Sequence, residues 1–240
     1  MAADHIVKTF DEDLTQMINM IAEMGGLAES QLAEAVMALV RRDEALAARV
    51  IDHDERQDEL EEDIEAQVIR LLALRQPMAL DLRTVVAALK IAAELERIGD
   101  YAKNVAKRSL TLMQTQPVGN AANTIMRMGS IAGDMIHNVI DAYLNKDIVK
   151  ADEVRARDQD VDQLHTGLFR ELLTYMMEDP RNITACTHLL FVAKNIERIG
   201  DHATNIAESV HYLVAGERNE RERSKQDLSS STIINVWDKS

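Results

Sequence analysis

Two runs of the chain carry the same five residues, Glu96-Arg97-Ile98-Gly99-Asp100 and Glu197-Arg198-Ile199-Gly200-Asp201. Each holds a glutamate and an aspartate four positions apart, a spacing that stacks two side chains on one face of a helix. Two more pairs with that spacing precede them, Asp54 with Asp58 and Asp158 with Asp162. Like charges at this spacing oppose a helix by about 0.2–0.5 kcal/mol, and a bound cation reverses the sign. Clustered carboxylate oxygens suit hard or borderline cations, divalent or ferric: Mg, Mn, Fe and, less readily, Zn. His165, one turn after Asp162, can add a nitrogen ligand, and its counterpart in the first copy is Glu61. A row of acids is more often a solvated helix face, and recurrence at matched places is what favours metal here. Gly99 and Gly200 point the same way. A mid-helix glycine costs about 0.5–1 kcal/mol relative to alanine, so two at equivalent places suggest close backbone approach or room for a ligand.

Long helices must position these groups. Pro77, Pro117 and Pro180 fall between strongly periodic segments, where a missing N–H and a fixed φ end one helix or open the next. The expected helices span 5–41, 44–75, 81–114, 120–145, 147–178 and 182–215. Asp81 and Asn182 suit the N-caps of the third and sixth. The stripe of the third helix is Ile91, Leu95, Ile98, Ala102 and Val105, with Glu96, Asp100 and Asn104 across from it. The sixth repeats this with Val192, Ile196, Ile199, Ala203 and Ile206 against Glu197, Asp201 and Asn205. Both acidic rows are therefore expected on helix faces outside the core.

The chain repeats itself. At an offset of 104, Gly25, Asp43, Ala47, Val50, Asp54 and Asp58 fall on Gly129, Asp147, Ala151, Val154, Asp158 and Asp162. Beyond the middle loop the offset becomes 101, and the two five-residue runs coincide. The expected fold is all-α: two tandem, pseudo-symmetric three-helix bundles of six long antiparallel helices. The boundaries are 1–116, 117–216 and a polar tail at 217–240 whose five acids and five bases cancel. Ile233, Ile234, Val236 and Trp237 in that tail read as a frayed end or as a docking peptide.

The 240 residues hold 27 Lys+Arg against 41 Asp+Glu, a net charge of -14, with 9 glycines, 3 prolines and 3% aromatics. That composition favours long helices over sandwiches, barrels and glycine-rich phosphate loops. It also argues against nucleic-acid binding, which needs clustered Lys and Arg. The single cysteine, Cys186, and the absence of a signal-peptide-like or membrane-length apolar run give the expectation of a cytoplasmic chain.

The doubled three-helix unit, the two Glu-Arg-Ile-Gly-Asp runs and Gln76-Pro77-Met78-Ala79-Leu80-Asp81-Leu82-Arg83 together resemble the PhoU family of phosphate-signalling regulators. The resemblance runs from about Phe10 to Gly216. It implies two three-helix bundles side by side, a homodimer, and surface metal clusters on the eight carboxylates named above. It implies no enzymatic activity. The implied role is negative regulation of the phosphate-starvation response, bridging the ATPase of the phosphate ABC transporter and a membrane sensor histidine kinase. The second repeat departs from the Pro-x-x-x-Asp-Leu-Arg pattern, with Asp179-Pro180-Arg181-Asn182-Ile183-Thr184 in its place.

Two other readings compete. A ferritin-like di-metal oxidase needs two Glu-x-x-His motifs plus two glutamates, whereas the chain has one, Glu208-x-x-His211, and a near miss at Asp134-x-x-His137. A histidine-phosphotransfer bundle needs one exposed histidine, for which His137 is the nearest candidate.

Overall fold

The structure, a computed structural model, describes residues 2–52, 55–75, 78 and 80–217. Asp54, Gln76, Pro77, Ala79 and the tail from 218 onward lie outside the described residues. The elements are α1 (Ala2–Arg41), α2 (Glu44–Asp52), α3 (Glu55–Arg75), α4 (Leu80–Leu112), α5 (Ala121–Asn145), α6 (Ile148–Glu178) and α7 (Ile183–Ala215), with a 3-10 turn at Pro180–Asn182 before α7. The stretch expected at 44–75 is helical over α2 and α3, and residues 53 and 54 between them lie outside the described residues. No strand occurs among the described residues.

The repeat is visible first in its corners. Arg42 (φ 55) and Lys146 (φ 54) are the only non-glycine residues described with positive φ, and they correspond in the two copies. Each is followed by an aspartate whose N–H reaches back to a carbonyl of the preceding helix, Asp43 to Ala38 and Asp147 to Ala142, both at 2.9 Å. The aspartate side chains then cap the next helix: Asp43 accepts from the Leu46 N–H at 3.0 Å and Asp147 from the Lys150 N–H at 3.1 Å. One left-handed residue ends the first helix and one carboxylate starts the second.

Packing repeats the same symmetry. A Cβ on Gly25 of α1 would lie 2.6 Å from Ile140 Cγ1 of α5, and one on Gly129 of α5 would lie 2.7 Å from Val36 Cγ2 of α1. Gly25 and Gly129 are repeat mates, as are Val36 and Ile140. The α1–α5 interface is thus reciprocal, with the geometry of an isologous dimer contact inside one chain. On the other side α4 and α7 run antiparallel, as shown by the contacts of Lys90 with Tyr212, Glu94 with His202 and Arg108 with Phe191. One contiguous apolar core, from Met17 to Leu213, runs through both halves. Arg83, whose mate is Thr184, lies against Gly216, the left-handed cap of α7 (φ 81), where a cation meets the negative helix end.

The two expected N-caps are corrected. Asp81 lies within the first turn of α4, after Leu80. Asn182 makes no side-chain cap bond; Asp179 does the capping, its carboxylate accepting from the Arg181 N–H at 3.0 Å. The proline-led 3-10 turn takes up the orphan donors one turn earlier than the α-helix itself.

Candidate functional site

In the second repeat the acids come from α6 and α7. Asp158, Asp162 and Glu197 are 3%, 2% and 2% exposed, while Asp201 is half-buried. The expectation of acids on helix faces outside the core is corrected here for three of the four. Helix α7 packs against α4, α5 and α6, so its buried arc is far wider than the apolar stripe. Glu197 follows Ile196, which places it about 100° round the helix and at the edge of that arc.

Gly200 explains how Asp158 reaches α7. A Cβ at this position would lie 2.8 Å from Asp158 Oδ1. The missing side chain lets the α6 aspartate lie against the α7 backbone, beside the turn that carries Glu197 and Asp201. Lys194 Nζ stands 2.8 Å from Glu197 Oε2 and supplies a counter-charge. Arg155, one turn before Asp158, has its guanidinium 3.7 Å from Asp152 and 3.9 Å from Glu208. His165 is buried on the same face of α6 as Asp162.

The first repeat is built from the same frame with different charges. Asp58 on α3 and Asp100 on α4 are exposed, Glu96 is half-buried and Gly99 buried. The mates of Lys194, Arg155 and His165 are Ala93, Ile51 and Glu61. Two cations and an imidazole in the second copy are thus replaced by two apolar residues and an acid in the first. The Glu61 carboxyl is pushed above its usual range, first by burial, then by the charges of Glu65 and Asp58, with Arg97 opposing.

Among the described residues no three His, Cys, Asp or Glu side chains converge as a ready coordination shell. What fits a metal is the chemistry of the donors: carboxylates from facing helices, with His165 adjacent in the second copy. Buried anions on this scale are costly without a positive partner. In the second copy Lys194 supplies one such charge beside Glu197.

A second polar cluster was not singled out from the spacing. Glu94 of α4 receives hydrogen bonds from His202 at 2.5 Å and from Asn205 at 3.1 Å, both on α7. Burial alone would raise its pKa, but those two bonds and the charges of His202 and Arg97 hold the carboxyl below the ordinary range. Tyr101 stacks on the His202 ring with centroids 5.4 Å apart. The signal was the seven-residue spacing of Glu94, Tyr101 and Arg108, which keeps all three on one side of α4.

The residues of the competing readings lie elsewhere. Glu208 faces Arg155, and His211 Nδ1 is 3.4 Å from the Glu217 carbonyl. His137 is exposed and pairs with Glu29 at 3.2 Å. No described helix is long and apolar enough to cross a membrane.

The PhoU domain matches the chain twice, over residues 21–109 and 125–210. A phosphate-specific transport system accessory protein PhoU homolog of Caulobacter vibrioides (strain NA1000 / CB15N) is 51% identical over 227 residues, covering 95% of this chain and 99% of its own. A relative of the same description from Rhizobium meliloti (strain 1021) is 48% identical over 238 residues, covering 99% and 100%. The crystal structure of PhoU from Pseudomonas aeruginosa superimposes with a TM-score of 0.83 at 39% identity, over 87% of this chain and 100% of that one. The PhoU phosphate transport system regulatory protein from Streptococcus pneumoniae gives a TM-score of 0.81 at 28% identity, over 88% and 99%.

Proposed function

The chain belongs to the PhoU family, and from that premise we propose that it is a negative regulator of the phosphate-starvation response and of phosphate uptake. The observation that carries this reading is its alignment, over nearly its whole length, with relatives described as accessory proteins of phosphate-specific transport. In the proposed role it acts as an adaptor and not as a catalyst. It bridges the ATPase of the phosphate ABC transporter and a sensor histidine kinase, as a homodimer in the cytoplasm drawn to the inner face of the membrane by those partners.

The metal part of the reading rests on the donor sets. Asp158, Asp162, Glu197 and Asp201 would hold ions in the second repeat, and Asp54, Asp58, Glu96 and Asp100 in the first. A bound cation supplies the positive charge that bare carboxylates lack, so that phosphate or an anionic group of a partner is attracted to the face and not repelled. The protein's own contribution is placement: Gly200 admits Asp158 to the α7 backbone, and Lys194 holds Glu197.

Deleting the gene and following a phosphate-responsive reporter at high phosphate tests the regulatory role. Deletion is expected to raise expression, and reintroducing the intact chain to restore repression. A reporter that stays repressed after deletion contradicts it.

A further inference from the structure

We propose that the outward face of the α4–α7 seam is a docking surface for an acidic amphipathic helix of a partner protein. The inference goes beyond the adaptor role by assigning a surface and a partner chemistry, and it does not depend on the carboxylate sites.

The chain's charge is unevenly placed. Helices α4 and α7 together hold eight Lys or Arg and seven Asp or Glu, whereas the whole chain stands at -14. The entire acid excess therefore lies off this pair. Within it, four of the eight cations, Lys90, Arg97, Arg108 and Arg198, stand along the seam. Lys90 Nζ lies 5.6 Å from the centre of the Tyr212 ring, Arg198 Cζ 5.6 Å from Tyr101, and Arg108 Cζ 4.2 Å from Phe191. All three contacts cross from one helix to the other. Arg97 and Arg198 are exposed repeat mates at the middle of the row.

Four acids of these helices, Glu96, Asp100, Glu197 and Asp201, sit toward the flanks of the face, Asp100 and Asp201 being three residues after Arg97 and Arg198. Glu96 and Asp100 each precede a seam residue by one, Arg97 and Tyr101, as Glu197 and Asp201 precede Arg198 and His202. One residue is about 100° of helix rotation. Glu94, the acid that does face the seam, is committed to His202 and Asn205 in its floor. The Arg97 charge acts on Glu94 and Glu61, and Arg108 also meets His188 at 3.5 Å; Lys90, Arg108 and Arg198 rest on aromatic faces that hold the charge without neutralising it.

The shape selects the occupant. From Lys90 to Arg108 the row is about 27 Å long at 1.5 Å per residue, the length of a helix of roughly 18 residues. It is flanked on both sides by acids one residue away and by a strongly acidic body. A membrane plane or a nucleic-acid duplex would press its phosphates against those flanks, whereas a helix about 10 Å across covers the row alone. Phe191, 49% exposed, offers such a helix an apolar anchor.

The test places a photo-crosslinking p-benzoylphenylalanine at Phe191 in the full-length chain expressed in its own cells, with Val149, 70% exposed on α6, as the control position. Crosslinked peptides are then sequenced by mass spectrometry. The expected result is a crosslink to an acidic helical segment of another protein. Charge reversal by Arg97→Glu with Arg198→Glu, or neutralisation by Arg97→Gln with Arg198→Gln should the first pair fail to fold, is expected to cut it about tenfold or more. Crosslinks to lipid, to nucleic acid or to a second copy of this chain overturn the proposal. So does a yield no higher than at Val149, or one unchanged by the arginine variants in folded protein.

Discussion

A methyl group at position 200 would press on Asp158 Oδ1 from 2.8 Å, whereas one at Gly167 would meet nothing within 4 Å. Alanine is the better helix former by about 1 kcal/mol, so Gly167→Ala is expected to stabilise the protein by about 0.5–1 kcal/mol. Gly200→Ala is expected to destabilise it by about 1–2 kcal/mol, because the overpacking exceeds that gain. Urea unfolding of the two variants checks the pair. Lys194→Ala leaves the buried Glu197 carboxylate short of its counter-ion and is expected to cost about 1–3 kcal/mol in metal-free protein. If an ion occupies that site, added Mn or Zn recovers more stability in the variant than in the parent, since no lysine competes; thermal unfolding with and without the ion reads this. Tyr143 gives a pH test. Its buried hydroxyl has no hydrogen-bond partner among the described residues, and burial pushes its pKa up to about 12. Because the folded value lies above the unfolded value of about 10, its contribution is intact below pH 10 and is lost as pH rises from there to about 12. The loss is about 2–3 kcal/mol. Tyr143→Phe should flatten that alkaline limb and gain about 1 kcal/mol at neutral pH.

At the scale of helices, the two corners of the molecule are built alike and should fail alike. Asp43→Ala and Asp147→Ala each remove a side-chain cap, with an expected cost of about 1 kcal/mol apiece by chemical denaturation. Positions 43 and 147 are far apart along the chain and share no partner in these bonds, so the double variant should show the sum. These corners could be read in the sequence because both copies keep the aspartate at one offset. The reciprocal Gly25–Ile140 and Gly129–Val36 contacts had only the matching glycines as a signal, since spacing says nothing of what a glycine faces. The cap at Asp179 was misread at Asn182, because a 3-10 turn shifts the cap one turn upstream. Burial of Asp158, Asp162 and Glu197 was not legible at all. For Glu197, apolar periodicity shows the centre of a buried arc, and only packing by three neighbours shows how wide the arc on α7 is; for Asp158, only the fold shows that it meets Gly200. The seam between α4 and α7 was hidden for a related reason: its mates differ in type, Glu94 with Asn195 and Tyr101 with His202.

Over the whole molecule, one frame carries two unlike charge patterns. The pseudo-dyad repeats backbone corners and interface glycines, yet Ala93, Ile51 and Glu61 stand where Lys194, Arg155 and His165 stand in the other copy. Asp58 and Asp100 of the first set are exposed, whereas Asp158, Asp162 and Glu197 of the second are buried, with Lys194 beside Glu197. In the proposed role, a cation on these carboxylates would have to precede any anion, since like charges repel. Metal occupancy of those faces is the central claim. The direct measurement is elemental analysis of the full-length chain purified without chelator, beside Glu96→Ala/Asp100→Ala and Glu197→Ala/Asp201→Ala variants. The account predicts bound metal in the parent and loss of one repeat's share in each variant. Equal metal in all three, or none after loading with Fe, Mn, Zn or Mg, would contradict it.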